Sequence, residues 1–200
     1  VNAGASGGGR SYGYEPVPGQ PGELRIIERE AAIVRRIFTE YASGRAPRAI
    51  VADLNRERIP GPRGGKWNTS TLNGNRERLN GLLQNSLYVG QLVWNRQRFV
   101  KDPSTGKRIS RPNPESEWLR KDVPHLAILP RKLFDEVQQL RVSKGANHAW
   151  HARKQPHLLS GLLRCACCGG SFTIVGRGRV GCSGYRDRGD CTNGETIPRE

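Results

Sequence analysis

Methionine is absent from the 200 residues, and the chain begins with Val1. Native chains start with methionine, so the expectation is a piece of a longer protein. Apolar residues are scarce as well, at 35%, whereas glycine (25) and proline (13) are plentiful. Such a chain is ill suited to one large core, and small domains joined by long connections are expected. No apolar run is long enough to span a bilayer, and no segment has the hydrophobic centre of a secretory signal.

Acidic side chains are also in short supply. Eighteen Asp and Glu face 33 Lys and Arg, for a formal charge of +15 and a pI near 10.4. From Lys144 onward there are nine basic and four acidic residues, so the charge is spread along the chain and not gathered in a tail. A surface of this kind favours a polyanion, because each phosphate neutralised releases condensed counterions. No stretch pairs a basic face with a strongly apolar one, which argues against a membrane surface.

Cysteine is missing from the first 164 residues, and then five fall within 27. An odd, clustered set does not fit a secreted disulfide scaffold and does fit metal ligation in a reducing cytoplasm. Cys165-Ala166-Cys167-Cys168-Gly169-Gly170 is a C-x-x-C-G-G knuckle. Its two-residue gap turns both thiolates of Cys165 and Cys168 toward one ion, and the glycines permit the left-handed turn that aims amide N–H groups at sulfur. Cys182 and Cys191 complete a Cys₄ set across a hairpin, with Cys167 left over. The rival reading is a set of buried or redox thiols, but a redox C-x-x-C opens a helix in a βαβ unit, and nothing here has that pattern. Four sulfurs leave no position for a catalytic water, so the expected Zn²⁺ is structural. With so small a local core, metal binding supplies most of the folding free energy, on the order of 10 kcal/mol.

The remaining pattern predicts an α+β chain: a small helix-turn-helix-like mixed domain followed by a zinc β-ribbon domain. Residues 1–22, rich in Gly and Pro, read as a linker, residues 23–143 as the first domain, 144–158 as a second linker and 159–200 as the ribbon. Leu24 to Ile27 alternates like a short strand. Ile33, Val34, Ile37, Phe38 and Tyr41 form a helical stripe ending at Gly44. Pro47 opens a second helix that buries Ile50, Val51 and Leu54 and stops at Ile59-Pro60. Asn68-Thr69-Ser70-Thr71 caps a third, burying Leu72, Leu79, Leu82 and Leu83, although Gly74 and Gly81 weaken it. Tyr88 to Trp94 reads as a strand, residues 101–116 as an exposed loop, and Leu133, Phe134, Val137 and Leu140 as the apolar side of a helix starting near Pro130. Phe172–Val175 and Arg179–Cys182 are two strands joined by Gly176-Arg177-Gly178.

Two groups of residues are candidates for DNA contact. Arg177, Arg179, Arg186 and Arg188 crowd one end of the ribbon. Arg63, Lys66, Thr69, Ser70, Asn73, Asn75 and Arg76 surround the start of the third helix, where side chains reach base edges and amides favour phosphate. For both groups an ordinary solvated basic surface is the alternative. His148, His151 and His157 raise the possibility of a metal-dependent nuclease, but they lie in a polar stretch with no nearby pair of acids. No serine has a persuasive set of catalytic partners.

Taken in order, six landmarks resemble the middle and zinc-containing parts of a large serine recombinase. They are Tyr12-Gly13-Tyr14; Ile33 to Phe38 with Tyr41-Ala42-Ser43-Gly44; Ile50 to Asn55 with Ile59-Pro60; Gly65-Lys66-Trp67; Asn85 to Gly90; and Leu158 to Cys165. The resemblance implies a recombinase DNA-binding domain and a zinc ribbon that bind attachment-site or transposon-end duplex DNA. It further implies a bacterial or phage-encoded, cytoplasmic, nucleoid-associated protein that self-associates through regions outside this chain. Such proteins exchange strands through a serine in an N-terminal resolvase-like domain, and no serine here takes that role. The stretch from Trp67 to Asn85 is longer than the family's spacing, and the coiled coil that projects from the zinc domain is not represented. The alternative is a zinc-ribbon module for RNA, DNA or protein, unrelated to recombination.

Overall fold

The computed structural model describes residues 11–75, 80–145, 159, 161–176 and 178–198. In chain order the first elements are β1 (Tyr14–Pro16), β2 (Leu24–Ile26), α1 (Glu28–Ala42), α2 (Pro47–Arg56) and α3 (Thr69–Asn73). Next come β3 (Gln91–Trp94), β4 (Gln97–Lys101), β5 (Arg108–Pro112), β6 (Leu119–Asp122) and α4 (Arg131–Gly145), and last β7 (Phe172–Gly176), β8 (Arg179–Cys182) and β9 (Thr196–Pro198). The class is α+β, with every sheet antiparallel. These residues group into two compact units, 11–42 with 73–139 and 43–72 with 140–198.

The first unit is built around aromatic rings. α1 turns Ala31, Val34, Ile37, Phe38 and Tyr41 inward, the stripe that 3.6-residue periodicity predicts. Ile33 is only half-buried. Phe38 meets Tyr88 edge-on at 6.0 Å and stacks with Phe134 of α4 at 5.9 Å. Residues 12–14 are packed here, although their composition reads as linker. Tyr14 stacks on Tyr88 at 5.9 Å, and its single hydroxyl proton is shared between Leu87 O (3.0 Å) and Leu126 O (2.8 Å). Tyr88 donates in turn to Tyr12 O at 3.0 Å. Two buried tyrosines outweigh the surrounding glycine and proline, because each brings a large apolar ring and a hydroxyl that finds a partner.

Other expectations need correction. The third helix stops at Asn73. Gly74 takes φ +60° and Gly81 φ +105°, and a β-carbon on Gly74 would lie 1.6 Å from Asn80 O. The two glycines let the chain fold back tightly where a continuous helix was expected. Leu82 and Leu83 are buried from a separate 3₁₀ turn, Leu82–Gln84, and Leu79 is outside the described residues. The segment Tyr88–Trp94 is likewise divided. Ser86–Val89 is a 3₁₀ turn closed by Gly90 at φ +71°, and only then does β3 begin, paired with β6. A β-carbon on Gly90 would press on Val123 O at 2.9 Å. Finally, much of the expected loop 101–116 belongs to the β4–β5 hairpin.

In the second unit, α2 opens with Pro47 and buries Ile50, Val51 and Leu54, as expected. Trp67 is fully buried and its indole N–H donates to Ile59 O at 3.0 Å. β7, β8 and β9 form a three-stranded sheet in that order, with Phe172 opposite Cys182 and Val180 opposite Ile197.

Candidate metal centre and nucleic-acid interface

β8 ends in Cys182, and the knuckle before β7 carries Cys165 and Cys168. The knuckle closes on itself: Cys165 N donates to Gly170 O and Gly169 N to Cys165 O, both at 2.8 Å. Gly169 adopts φ +67°, the left-handed turn for which glycine is suited. Cys191 arrives from the loop that leads to β9. The Sγ atoms of Cys165, Cys168, Cys182 and Cys191 all lie within 4.8 Å of one another.

The sulfur spacing tests the fit of a tetrahedral ion. A zinc–sulfur bond of about 2.3 Å requires sulfurs about 3.8 Å apart. Cys165 and Cys191 are 3.8 Å apart, and Cys168 and Cys182 are 3.4 Å apart. These distances are far too long for a disulfide at about 2.05 Å. Amide donors also surround the sulfurs. Gly170 N reaches Cys168 Sγ at 3.4 Å, Asn193 N reaches Cys191 Sγ at 3.4 Å, and Asn193 Nδ2 reaches Cys165 Sγ at 3.4 Å. The Asn193 side-chain amide is the main reason the Cys165 thiol is held down at about 6, since donation to sulfur favours thiolate. Burial pushes the Cys182 thiol up. A set of four soft donors at this spacing suits a four-coordinate metal. Cys167 is exposed and outside the cluster.

Between Cys182 and Cys191 the chain makes a wide π-type turn, Gly184–Arg188, which packs on α2 within the second unit. Asn55 is the central link. Its Nδ2 donates to Trp67 O (3.0 Å) and Arg188 O (2.8 Å), and its Oδ1 accepts from Trp67 N (2.8 Å). Asp190 accepts from Lys66 Nζ at 2.7 Å and from Arg188 Nε at 3.1 Å. Arg48 donates to Tyr185 O at 3.1 Å and lies over its ring at 5.5 Å. Gly189 fits so closely that a β-carbon would stand 2.4 Å from Ala52 Cβ.

The other expected contact residues fall into three groups. Arg63 is exposed in the turn Gly61–Gly65 and pairs with no described carboxylate. Thr69 and Ser70 form the first turn of α3, Asn73 ends it, and Asn75 N donates to Asn80 Oδ1. The ribbon arginines make internal bonds: Arg179 to Thr196 Oγ1 and Thr196 O, both at 2.7 Å, and Arg186 to Val175 O at 3.1 Å. Arg179 and Arg186 remain exposed, whereas Arg188 is half-buried. Arg76, Arg177, His148, His151 and His157 lie outside the described residues.

Sequence reasoning missed Asn55 and Asp190. Both left a faint signal. Asparagine is a poor helix former whose side chain competes for backbone partners, and Asp190 is a carboxylate set among arginines beside a cysteine.

Comparison with known proteins gives two successive matches. The family model described as Recombinase matches residues 28–144, and the one described as Recombinase zinc beta ribbon domain matches residues 158–200. A Bacillus subtilis (strain 168) protein provisionally described as a DNA recombinase is 30% identical over 174 residues, 81% of this chain. The match spans only 32% of that protein's length. Among solved structures, a crystal structure of an LSR–DNA complex is 22% identical, with a TM-score of 0.44 over 92% of this chain and 51% of its own. Another, from work on the sequence requirements of the Listeria innocua prophage attP site, is 21% identical, with a TM-score of 0.44 over 92% of this chain and 70% of its own.

Proposed function

This chain belongs to the recombinase family, matched across residues 28–144, and from that premise we propose that it is the DNA-binding part of a site-specific serine recombinase. It grips attachment-site or transposon-end duplex DNA, and the longer protein carries out strand exchange in the cytoplasm. The catalytic serine belongs to a resolvase-like domain outside these residues, and self-association uses regions outside them as well. The observation that carries this reading is the charge of +15 in a chain that also matches the recombinase family. Among the described residues, no helix is long and apolar enough to cross a membrane.

Cys165, Cys168, Cys182 and Cys191 hold a zinc ion whose chemistry is that of a structural cross-link. Around it, Asn193 and the Gly170 amide satisfy the thiolates, while Asp190 and Asn55 seat the π-type turn on α2. Arg63, Thr69, Ser70, Asn73, Asn75, Arg179 and Arg186 face the DNA. Lys66 and Arg188, both bound to Asp190, position the ribbon.

The test is binding of fluorescent duplex by the purified chain across a salt series, with RNA and random-sequence duplex as competitors. The reading expects affinity to fall steeply with salt and a selected duplex sequence to out-compete RNA. Salt-insensitive binding, or a preference for RNA, would overturn it.

A further inference from the structure

β4 and β5 form a two-stranded ribbon of their own. Among the described residues no third strand bonds to either one, and most of their residues are exposed. The ribbon is nonetheless firmly held at both ends. At its base Asn113 is buried, its N donates to Arg96 O at 2.9 Å, and its Nδ2 donates to Asn95 O at 2.8 Å. The Trp118 indole donates to Asn113 O at 3.1 Å. At its tip the Asp102 carboxylate accepts from Ser104 N and Oγ, both at 3.0 Å, and from Thr105 Oγ1 at 2.7 Å.

The charges on this ribbon are placed against its own stability. Arg98 stands directly opposite Arg111, and Lys101 directly opposite Arg108. Like charges in directly opposed cross-strand positions repel. Lys107 adds a fifth cation, and the only carboxylate in residues 97–112 is Asp102, already occupied by the tip. Arg98, Lys101, Lys107, Arg108 and Arg111 form no ion pair with any described carboxylate; Arg108 lies over the Phe99 ring at 4.3 Å. Side chains alternate between faces along a strand. Arg98 and Arg111 therefore share one face, and Lys101 and Arg108 the other, about 10 Å further along at a rise of about 3.4 Å per residue.

We propose that the β4–β5 hairpin is a further duplex-DNA contact, seated in a groove with a cation pair facing each phosphate wall. A two-stranded ribbon fits the major groove, and phosphates on both sides supply the counter-charge that the protein withholds. The inference rests on the DNA-binding reading above and extends it to a site outside the zinc ribbon and α3. Because phosphate contact is independent of sequence, a mixed-sequence duplex of about 30 base pairs serves as the probe.

The experiment compares the parent chain with R98Q/R111Q and with K101Q, measuring duplex affinity across salt and thermal midpoint without DNA. Losing two phosphate contacts makes the log–log salt slope of R98Q/R111Q shallower by about 2 and lowers affinity roughly ten- to hundred-fold near 0.1 M salt. K101Q changes the slope by about 1. The thermal midpoints stay level or rise, since repulsion has been removed; a merely structural role would lower them. Unchanged slopes in both variants, with the parent still binding, would overturn the hairpin contact alone. A parent chain that does not bind duplex DNA would instead overturn the reading beneath it.

Discussion

Lys66 Nζ lies 2.7 Å from Asp190 Oδ2, and Asp190 immediately precedes Cys191. A lysine that composition offers to phosphate is thus bound to a carboxylate 124 residues away in sequence. The bond ties the basic loop before α3 to the loop that delivers the fourth sulfur. The Lys66 end is exposed and the Asp190 end nearly buried, at 64% and 10% of their side-chain surfaces. The energetic weight therefore lies with Asp190.

Replacing Asp190 with Asn should destabilise the second unit by about 1–3 kcal/mol, because Arg188 is left half-buried beside a neutral amide. Lys66→Gln removes only a solvent-screened pair and should cost about 1 kcal/mol or less. Urea denaturation of the two variants separates these outcomes, and equal losses would show that Arg188 is not the main partner.

Chelation should release the ribbon from α2. Trp67 is buried and bonded to Asn55, which holds Arg188 O. Loss of the ion should therefore red-shift tryptophan emission, and Trp67→Phe should remove most of that shift. Zinc analysis of the purified chain should give one equivalent, abolished in C165S/C191S.

Gly189→Ala should be harmful for two separable reasons. Its φ is +65°, and the new methyl would meet Ala52 Cβ. The strained backbone alone costs about 1–2 kcal/mol. Adding Ala52→Gly relieves only the collision, at a helix-propensity cost of about 1 kcal/mol. A double-mutant cycle should yield a favourable coupling energy, whereas strict additivity would show that the two sites do not touch.

Asp53 supplies a pH dependence. The Arg45 guanidinium, through its hydrogen bond, lowers the Asp53 pKa, with Arg56 assisting. A lowered folded-state value means the carboxylate stabilises the fold above its unfolded pKa of about 3.9, and this is lost as pH falls through the folded value. Arg56 is largely exposed and Arg45 partly so, so the gain is about 1 kcal/mol or less. Asp53→Asn should be the weaker protein at neutral pH, with the difference closing below about pH 4. A gap that widens in acid would contradict the pairing.

Much of this protein is legible without coordinates where the cause is local. The faces of α1 and α2 follow from periodicity, and the knuckle follows from two cysteines, two glycines and the reach of a thiolate. The strands around Gly178 follow from the run Phe172-Thr173-Ile174-Val175 and the glycine-flanked turn after it. The third helix was misread because propensity describes residues one at a time, while Gly74 and Gly81 act as a pair that requires each other's bare backbone. The buried tyrosines of the first segment were hidden by averaging them with their neighbours.

Sequence alone determined the charge, the spacing of the cysteines and the helical faces, because each depends on residue type and on spacings within a few turns of chain. Tertiary structure decided which of these cations are bound to a carboxylate. Arg188 and Lys66 meet a carboxylate, whereas Arg98 and Arg111 occupy directly opposed positions on β4 and β5. Composition counts all four as equal. Their difference arises from register and long-range packing, which bring together charges that lie far apart along the chain.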